Sequence, residues 1–169
     1  MVKRSENKKN VPVDTYSVLT AAGYISSQPL KARKVLTTAE QGRKYVLQMS
    51  GKENSVLYDV DGYIIKEGQK CDKLILVDQS DADRGKTWAE IFVELKGKEV
   101  SHAIDQLRET LKNPIFKHPS NKKIRARIIA ASFPANKSNP LMEKAKIEFA
   151  KGPYFCELRG LKNGQKDII

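Results

Sequence analysis

The sequence is poor in cysteine and has no long apolar run, and both deficits narrow the classes of protein that it can encode. Cys71 and Cys156 are the two thiols in 169 residues, and neither lies in a CxxC or Cys/His cluster of the zinc-binding kind. A disulfide scaffold and a structural zinc site are therefore not predicted. No run approaches the ~18–20 apolar residues that a membrane span requires, so a membrane partner is not expected. Gly and Pro, at 10 and 7 residues, are not enriched, which argues against collagen-like and wholly disordered chains.

Acidic residues are also outnumbered, and this imbalance points to a polyanionic partner. The chain has 31 Lys and Arg against 20 Asp and Glu, which gives a net charge of +11 and favours nucleic acid as the partner. The first ten residues are charged but lack the apolar segment of a secretory signal, so a cytoplasmic location is expected. Residues 1–12 are interpreted as a flexible basic tail, and residues 13–169 as a single domain.

Hydrophobic periodicity and turn residues predict an ordered series of elements. Asp14 or Thr15 is expected to cap a short helix that runs through Ala22, and residues 24–40 fit either helix or strand. Strands are predicted at 44–49, 55–59, 63–65, 71–77, 88–96, 122–133 and 154–159, with a turn at 51–54 and helices at 100–111 and 141–150. Strands joined by hairpins, followed by a helical crossover, predict an α/β fold (α+β by some schemes) with a mixed central sheet flanked by helices.

The segment Val93-Glu94-Leu95-Lys96-Gly97 carries the main functional signal. Side chains alternate between the two faces of a strand, so Glu94 and Lys96 are expected on one side, with Asp72 at the start of the preceding apolar strand. Two carboxylates and the backbone carbonyl of Leu95 can hold one or two Mg²⁺ or Mn²⁺ ions. The lysine can orient an attacking water and offset charge on a phosphate. Glu-x-Lys alone is a common tripeptide, but an acid between apolar residues requires a partner.

These residues, with the helix that follows them, resemble the core of the PD-(D/E)XK nuclease superfamily. That superfamily includes type II restriction enzymes, Holliday-junction resolvases and recombination exonucleases, and the resemblance covers roughly residues 40–135. It implies a restriction-endonuclease-like core of a helix, three strands in a meander, a helix and a fourth strand. It also implies that Asp72 and Glu94 bind the metal, that Lys96 is the catalytic lysine, and that the domain is a metal-dependent nuclease that hydrolyses phosphodiester bonds in DNA. Cys71 stands where the motif has proline.

Additional ligands of such a site remain open. Asp61 is the rival to Asp72, although its position also suits a turn. Many superfamily members add an acid from an N-terminal helix, and Glu40 and Glu53 are the candidates for that role here. In some members a glutamine on the helix after the motif contacts the site, which makes Gln106 a further candidate.

Basic side chains near the predicted fourth strand are candidate contacts for a phosphate backbone. Arg125 and Arg127 are expected on the same face of that strand, and Lys122 and Lys123 precede them. Because one active site cuts one strand, a homodimer is expected if both strands of a duplex are cut.

Two other interpretations fit the same sequence. The first is a catalytically inactive module of the same fold that binds nucleic acid or a protein. The second is a protein-binding partner of the inhibitor or immunity type, with the charged residues at its interface.

Overall fold

The architecture is a mixed sheet of seven strands with three helices. It comes from a computed structural model that describes residues 13–80, 86–95, 99–130 and 139–169. The helices are α1 (Thr15–Ala21), α2 (Val100–Lys112) and α3 (Pro140–Ala150), and a 3₁₀ turn spans Pro114–Phe116. The strands are β1 (Gln28–Glu40), β2 (Arg43–Asp59), β3 (Lys73–Asp78), β4 (Trp88–Glu94), β5 (Asn121–Ala130), β6 (Glu157–Lys162) and β7 (Lys166–Ile168).

The sheet has the order β1-β2-β3-β4-β5-β6, and β7 pairs with β2. Strands β1 to β4 pair with one another in antiparallel fashion, whereas β5 is parallel to both β4 and β6, and β7 is parallel to β2. The two parallel connections each contain a helix, as parallel strands require a crossover. The predicted α/β class and mixed sheet are confirmed.

Alternation along the central strands divides their side chains between two apolar clusters. Leu74 and Leu76 of β3 join the cluster that contains the buried residues of all three helices. Ile75 and Val77 face the opposite cluster, which holds Leu36, Tyr45, Leu47 and Met49 of the β1–β2 hairpin. The sheet was expected to be flanked by helices; the helices cover one face, and the hairpin covers the other.

The β1–β2 hairpin is the largest departure from the sequence prediction. The turn predicted at 51–54 is wrong, because β2 continues through it as a strand of 17 residues. The two strands absorb the difference through a shift of register between Arg33 and Val35. The true turn is at Gln41 and Gly42, which both have positive φ, as a two-residue hairpin turn requires. Residues 24–40, open in the sequence, contain β1.

The helix boundaries agree closely with the sequence prediction, whereas one predicted strand is absent and one observed strand was not predicted. Asp14 caps α1 by accepting from the Ser17 amide at 2.7 Å, and Asn139 caps α3. The strand predicted at 63–65 is wrong, since these residues form turns and one isolated bridge. β7 has no counterpart in the prediction. The end of the predicted strand 122–133 lies in part outside the described residues.

Candidate active site

Asp72 and Glu94 face each other at the end of the β3–β4 pair. Lys73 is opposite Val93, so continuing this register by one residue places Asp72 opposite Glu94. The Asp72 amide donates to the Val93 carbonyl at 3.2 Å, and its Oδ2 accepts from the Leu95 amide at 2.7 Å. The Asp72 carboxylate is therefore fixed across the end of β4, beside the motif predicted from sequence. Directly opposed residues of an antiparallel pair have Cβ atoms about 4.5–5.5 Å apart.

Both carboxylates are removed from solvent. Asp72 is 3% exposed and Glu94 is 0% exposed. Burial raises the pKa of the neighbouring Cys71 thiol well above its ordinary value, and the charges of Glu94 and Asp72 raise it further. Two negative charges thus converge on one buried volume, where a carboxylate is costly unless a cation or hydrogen-bond donor accompanies it. Oxygen donors of this kind suit Mg²⁺ or Mn²⁺.

Leu95 lies at the junction of the site with the hairpin. Its side chain is buried in the hairpin-facing cluster, and its carbonyl accepts from Nη1 of Arg43 at 3.2 Å. The carbonyl that the sequence predicts as a metal ligand is thus hydrogen-bonded, although a carbonyl oxygen has two lone pairs. Local sequence patterns give no indication that the hairpin brings Arg43 to the site.

Lys96, the predicted catalytic lysine, lies outside the described residues. The direction of its side chain is therefore still an expectation from strand alternation relative to Glu94.

The three acids predicted as additional ligands, Glu40, Asp61 and Glu53, each contact a different partner. Glu40, at the hairpin tip, lies 3.7 Å from Nζ of Lys73, next to Asp72 in sequence. Asp61 lies 3.7 Å from Nζ of Lys70. Glu53 accepts from the nearby Ser50 hydroxyl and Gly51 amide within the β1–β2 hairpin. In the part of the chain that the structure describes, no group of three or more His, Cys, Asp or Glu residues is arranged to hold a metal ion. The identity of a third acidic ligand stays open.

Helix α2 contributes a positioning residue that sequence reasoning missed. The Thr110 hydroxyl accepts from the Cys71 amide at 2.9 Å and donates to the Gln106 carbonyl at 2.8 Å. Thr110 thereby holds the backbone directly before Asp72 against α2. Gln106, which was predicted to contact the site, is half-buried, and its backbone carbonyl accepts the hydrogen bond from the Thr110 hydroxyl. The signal that could have revealed Thr110 is its place on the apolar face of α2, three residues after Leu107.

The predicted phosphate contact of Arg127 does not fit the structure. Its side chain is 0% exposed, with Nε 2.7 Å from Oδ2 of Asp167 and Nη2 2.8 Å from Oε1 of Glu157. The Tyr45 hydroxyl donates to the same Asp167 oxygen at 2.6 Å, and burial, together with this carboxylate, raises the pKa of the tyrosine. A guanidinium enclosed in this way has a structural role and no surface to offer a phosphate.

The other three predicted contacts have exposed surface. Lys122 and Lys123 are exposed at the start of β5, where they line a groove with Thr87 and Trp88. Arg125 is half-exposed and donates to the Ile168 carbonyl at 2.9 Å. The basic surface therefore lies at the start of β5, at the opposite end of β4 from Glu94.

Comparisons with known proteins assign no family to this arrangement. No protein-family model, curated protein or solved structure matches the chain. None of the helices in the described ranges is long and apolar enough to cross a membrane. The functional assignment therefore depends on the geometry around Asp72 and Glu94.

Proposed function

We propose that this protein is a metal-dependent nuclease with a restriction-endonuclease-like core that hydrolyses phosphodiester bonds in DNA. The observation that carries the proposal is the pair of buried carboxylates, Asp72 and Glu94, opposed across neighbouring strands at one end of the sheet. Two buried carboxylates opposed at the ends of neighbouring strands are suited to binding a divalent cation.

The order of elements supports the same proposal. The antiparallel meander β2-β3-β4, helix α2 and the parallel strand β5 follow one another in the chain, and helix α1 and strand β1 precede them. Apart from β1, which is an additional strand between the first helix and the meander, this is the order that the PD-(D/E)XK resemblance implies. In it, the first acid lies at the start of the second meander strand and the Glu-x-Lys motif at the end of the third.

The residues divide the work as follows. Asp72, positioned by the Leu95 amide and by Thr110 behind Cys71, and Glu94 supply the carboxylate oxygens. A divalent ion held by these two carboxylates would supply Lewis acidity to the scissile phosphate and to a bound water. Lys96 orients the water and offsets negative charge in the transition state. Arg43, at the Leu95 carbonyl, adds a permanent positive charge at the hairpin tip.

Cleavage of plasmid and linear DNA with Mg²⁺, Mn²⁺ or EDTA tests the proposal. We expect metal-dependent cleavage that falls by a factor on the order of 10² or more in Asp72→Asn, Glu94→Ala and Lys96→Ala. Asp78→Asn is the matched control, because it neutralises the acid at the opposite end of β3, where Asp78 pairs with Lys86 at 3.5 Å. Its cleavage rate should equal that of the wild type.

Two results would contradict the proposal. Cleavage that persists in both Glu94→Ala and Lys96→Ala would place the chemistry elsewhere. DNA binding without cleavage, together with no Mn²⁺ bound in calorimetry, would favour the catalytically inactive nucleic-acid-binding module. Sedimentation of the active protein on DNA measures whether it acts as the expected homodimer.

A further inference from the structure

A second buried acid lies on β4, away from the candidate active site. Glu90 precedes Glu94 by four residues, a separation of about 13 Å along a strand. It lines a cavity of about 310 Å³ between the sheet and the 3₁₀ turn. This volume lies at the lower end of the range for small-molecule sites, which is about 300–1,000 Å³. Its other walls include Phe92, Leu111, Phe116 and Tyr154.

The Glu90 carboxyl is enclosed without a charge partner. Its side chain is 2% exposed, and none of the ion pairs among the described residues includes it. Asn121 Nδ2 donates to its Oε2 at 3.3 Å. Burial raises the pKa of this carboxyl well above its ordinary value, which favours the neutral acid. A neutral carboxyl presents a donor and an acceptor side by side.

The neighbouring Asn121 is already committed to the protein. Its Nδ2 also donates to the Phe116 carbonyl at 3.0 Å, and its Oδ1 accepts from the Thr15 hydroxyl at 2.8 Å. Glu90 is therefore the group at the base of the cavity with hydrogen-bonding capacity to offer a ligand. Its surroundings are apolar, since Phe92 and Phe116 pack edge-to-face against each other in the wall, with ring centroids 5.2 Å apart.

The rim of the cavity is positive. Lys117 lines it and is exposed, and Lys122 and Lys123 follow closely in the chain. His118, which also lines the cavity, accepts from the Ser120 amide through Nδ1 at 3.0 Å. An anionic group at this rim would meet the ammonium group of Lys117.

We propose that the cavity binds a nucleotide, with its base against Glu90 and its phosphate at Lys117. The adjacent donor and acceptor of the carboxyl match a base edge such as N1 and N6 of adenine, and the apolar walls suit the remainder of the base. Two sources have this chemistry: a free nucleotide, or one nucleotide extruded from a strand. The site is separate from Asp72 and Glu94, and it does not depend on nuclease activity.

Calorimetric titration of the full chain with 2′-deoxyadenosine 5′-monophosphate (dAMP) in EDTA tests this proposal. We expect saturable binding that weakens on the order of tenfold or more in Glu90→Leu, which removes both hydrogen bonds. Glu90→Gln is the matched variant, because an amide keeps a donor and an acceptor; its affinity should stay within a few-fold of the wild type. Ile124→Phe fills the cavity with Glu90 intact and should also abolish binding.

Controls separate the outcomes. Replacing a buried acid by leucine is expected to leave the melting temperature unchanged or higher, so loss of binding in a folded Glu90→Leu protein supports the site. Absence of dAMP binding at millimolar concentrations, equal affinity in Glu90→Leu, or equal affinity for ribose 5-phosphate overturns it. Displacement of dAMP by an oligodeoxynucleotide assigns the site to a strand, and no displacement assigns it to a free nucleotide. The EDTA buffer and Glu94→Ala keep this result independent of cleavage.

Discussion

At the scale of the residue, the same side-chain type has opposite roles at neighbouring positions of β5. Arg125 is half-exposed, whereas Arg127 is enclosed by Asp167 and Glu157. Strand alternation correctly places both on one face, but their exposure is decided by Asp167, which lies far away in sequence. The position of Asp72 opposite Glu94 was easier to predict, because it depends on a single register between adjacent strands. Local patterns therefore predicted the acid pair and misassigned Arg127.

Removal of Asp167 should destabilise the whole protein. Asp167→Ala leaves the Arg127 guanidinium buried beside the Tyr45 hydroxyl without its main partner, and breaking such a pair typically costs about 3–5 kcal/mol. Urea unfolding measures the difference, with exposed Lys166→Ala as the neighbouring control. An unfolding free energy equal to that of the wild type would show that the network contributes nothing to stability.

At the scale of the element, local signals were sufficient for helices and insufficient for the long hairpin. Helix α1 begins after Asp14, α3 begins after Asn139, and α2 ends shortly before Pro114. Each of these residues is a boundary signal that lies next to the helix in sequence, and each boundary agrees with the structure. Strand β2 depends instead on three partners, β1, β3 and β7, which lie both before and after it in the chain. The glycine and asparagine at 51 and 54 favour a turn locally, and these distant pairings override them.

The cap of α1 should make a small, pH-dependent contribution to stability. Burial acts to raise the pKa of Asp14, but its hydrogen bonds with Ser17 outweigh this and lower the pKa below 3.8. The ionised cap therefore stabilises the folded state above about pH 4, and this stabilisation is lost as the pH falls through the lowered pKa.

We expect Asp14→Ala to cost about 1 kcal/mol at pH 6 and progressively less below pH 3.8. Denaturant unfolding of both proteins at each pH measures the difference. A difference that grows on acidification would contradict the sign of the shift.

At the scale of the whole molecule, the chain has a net charge of +11, and the described residues narrow which of their own charges can meet DNA. Arg127 is excluded by burial, and Lys73 is engaged with Glu40 and Asp59. Lys122 and Lys123 remain exposed at the start of β5. Composition predicted a polyanionic partner, but only the tertiary arrangement separates structural cations from surface ones.

The salt dependence of DNA binding tests this assignment. Each phosphate contact contributes about 0.9 to the slope of log K against log salt, so Lys122→Ala with Lys123→Ala should reduce the slope by about 2. The control pair is Lys112→Ala with Lys146→Ala, two surface lysines paired with glutamates on α2 and α3. Fluorescence anisotropy over a range of salt concentrations measures the slope. Equal reductions in both double variants would indicate that DNA contacts no particular face.

The dependence of β2 on distant partners has a consequence for the rate of folding. The hydrogen bond between Tyr45 and Asp167 joins positions 122 residues apart, and Arg43 reaches Leu95 across 52 residues. Non-local contacts of this kind must close long loops before they stabilise the chain, which typically gives folding times of milliseconds to seconds. The contact between Arg43 and the Leu95 carbonyl would thus be assembled late. Until then, the apolar side of β2 would be open to aggregation, and refolding yield should fall as protein concentration rises.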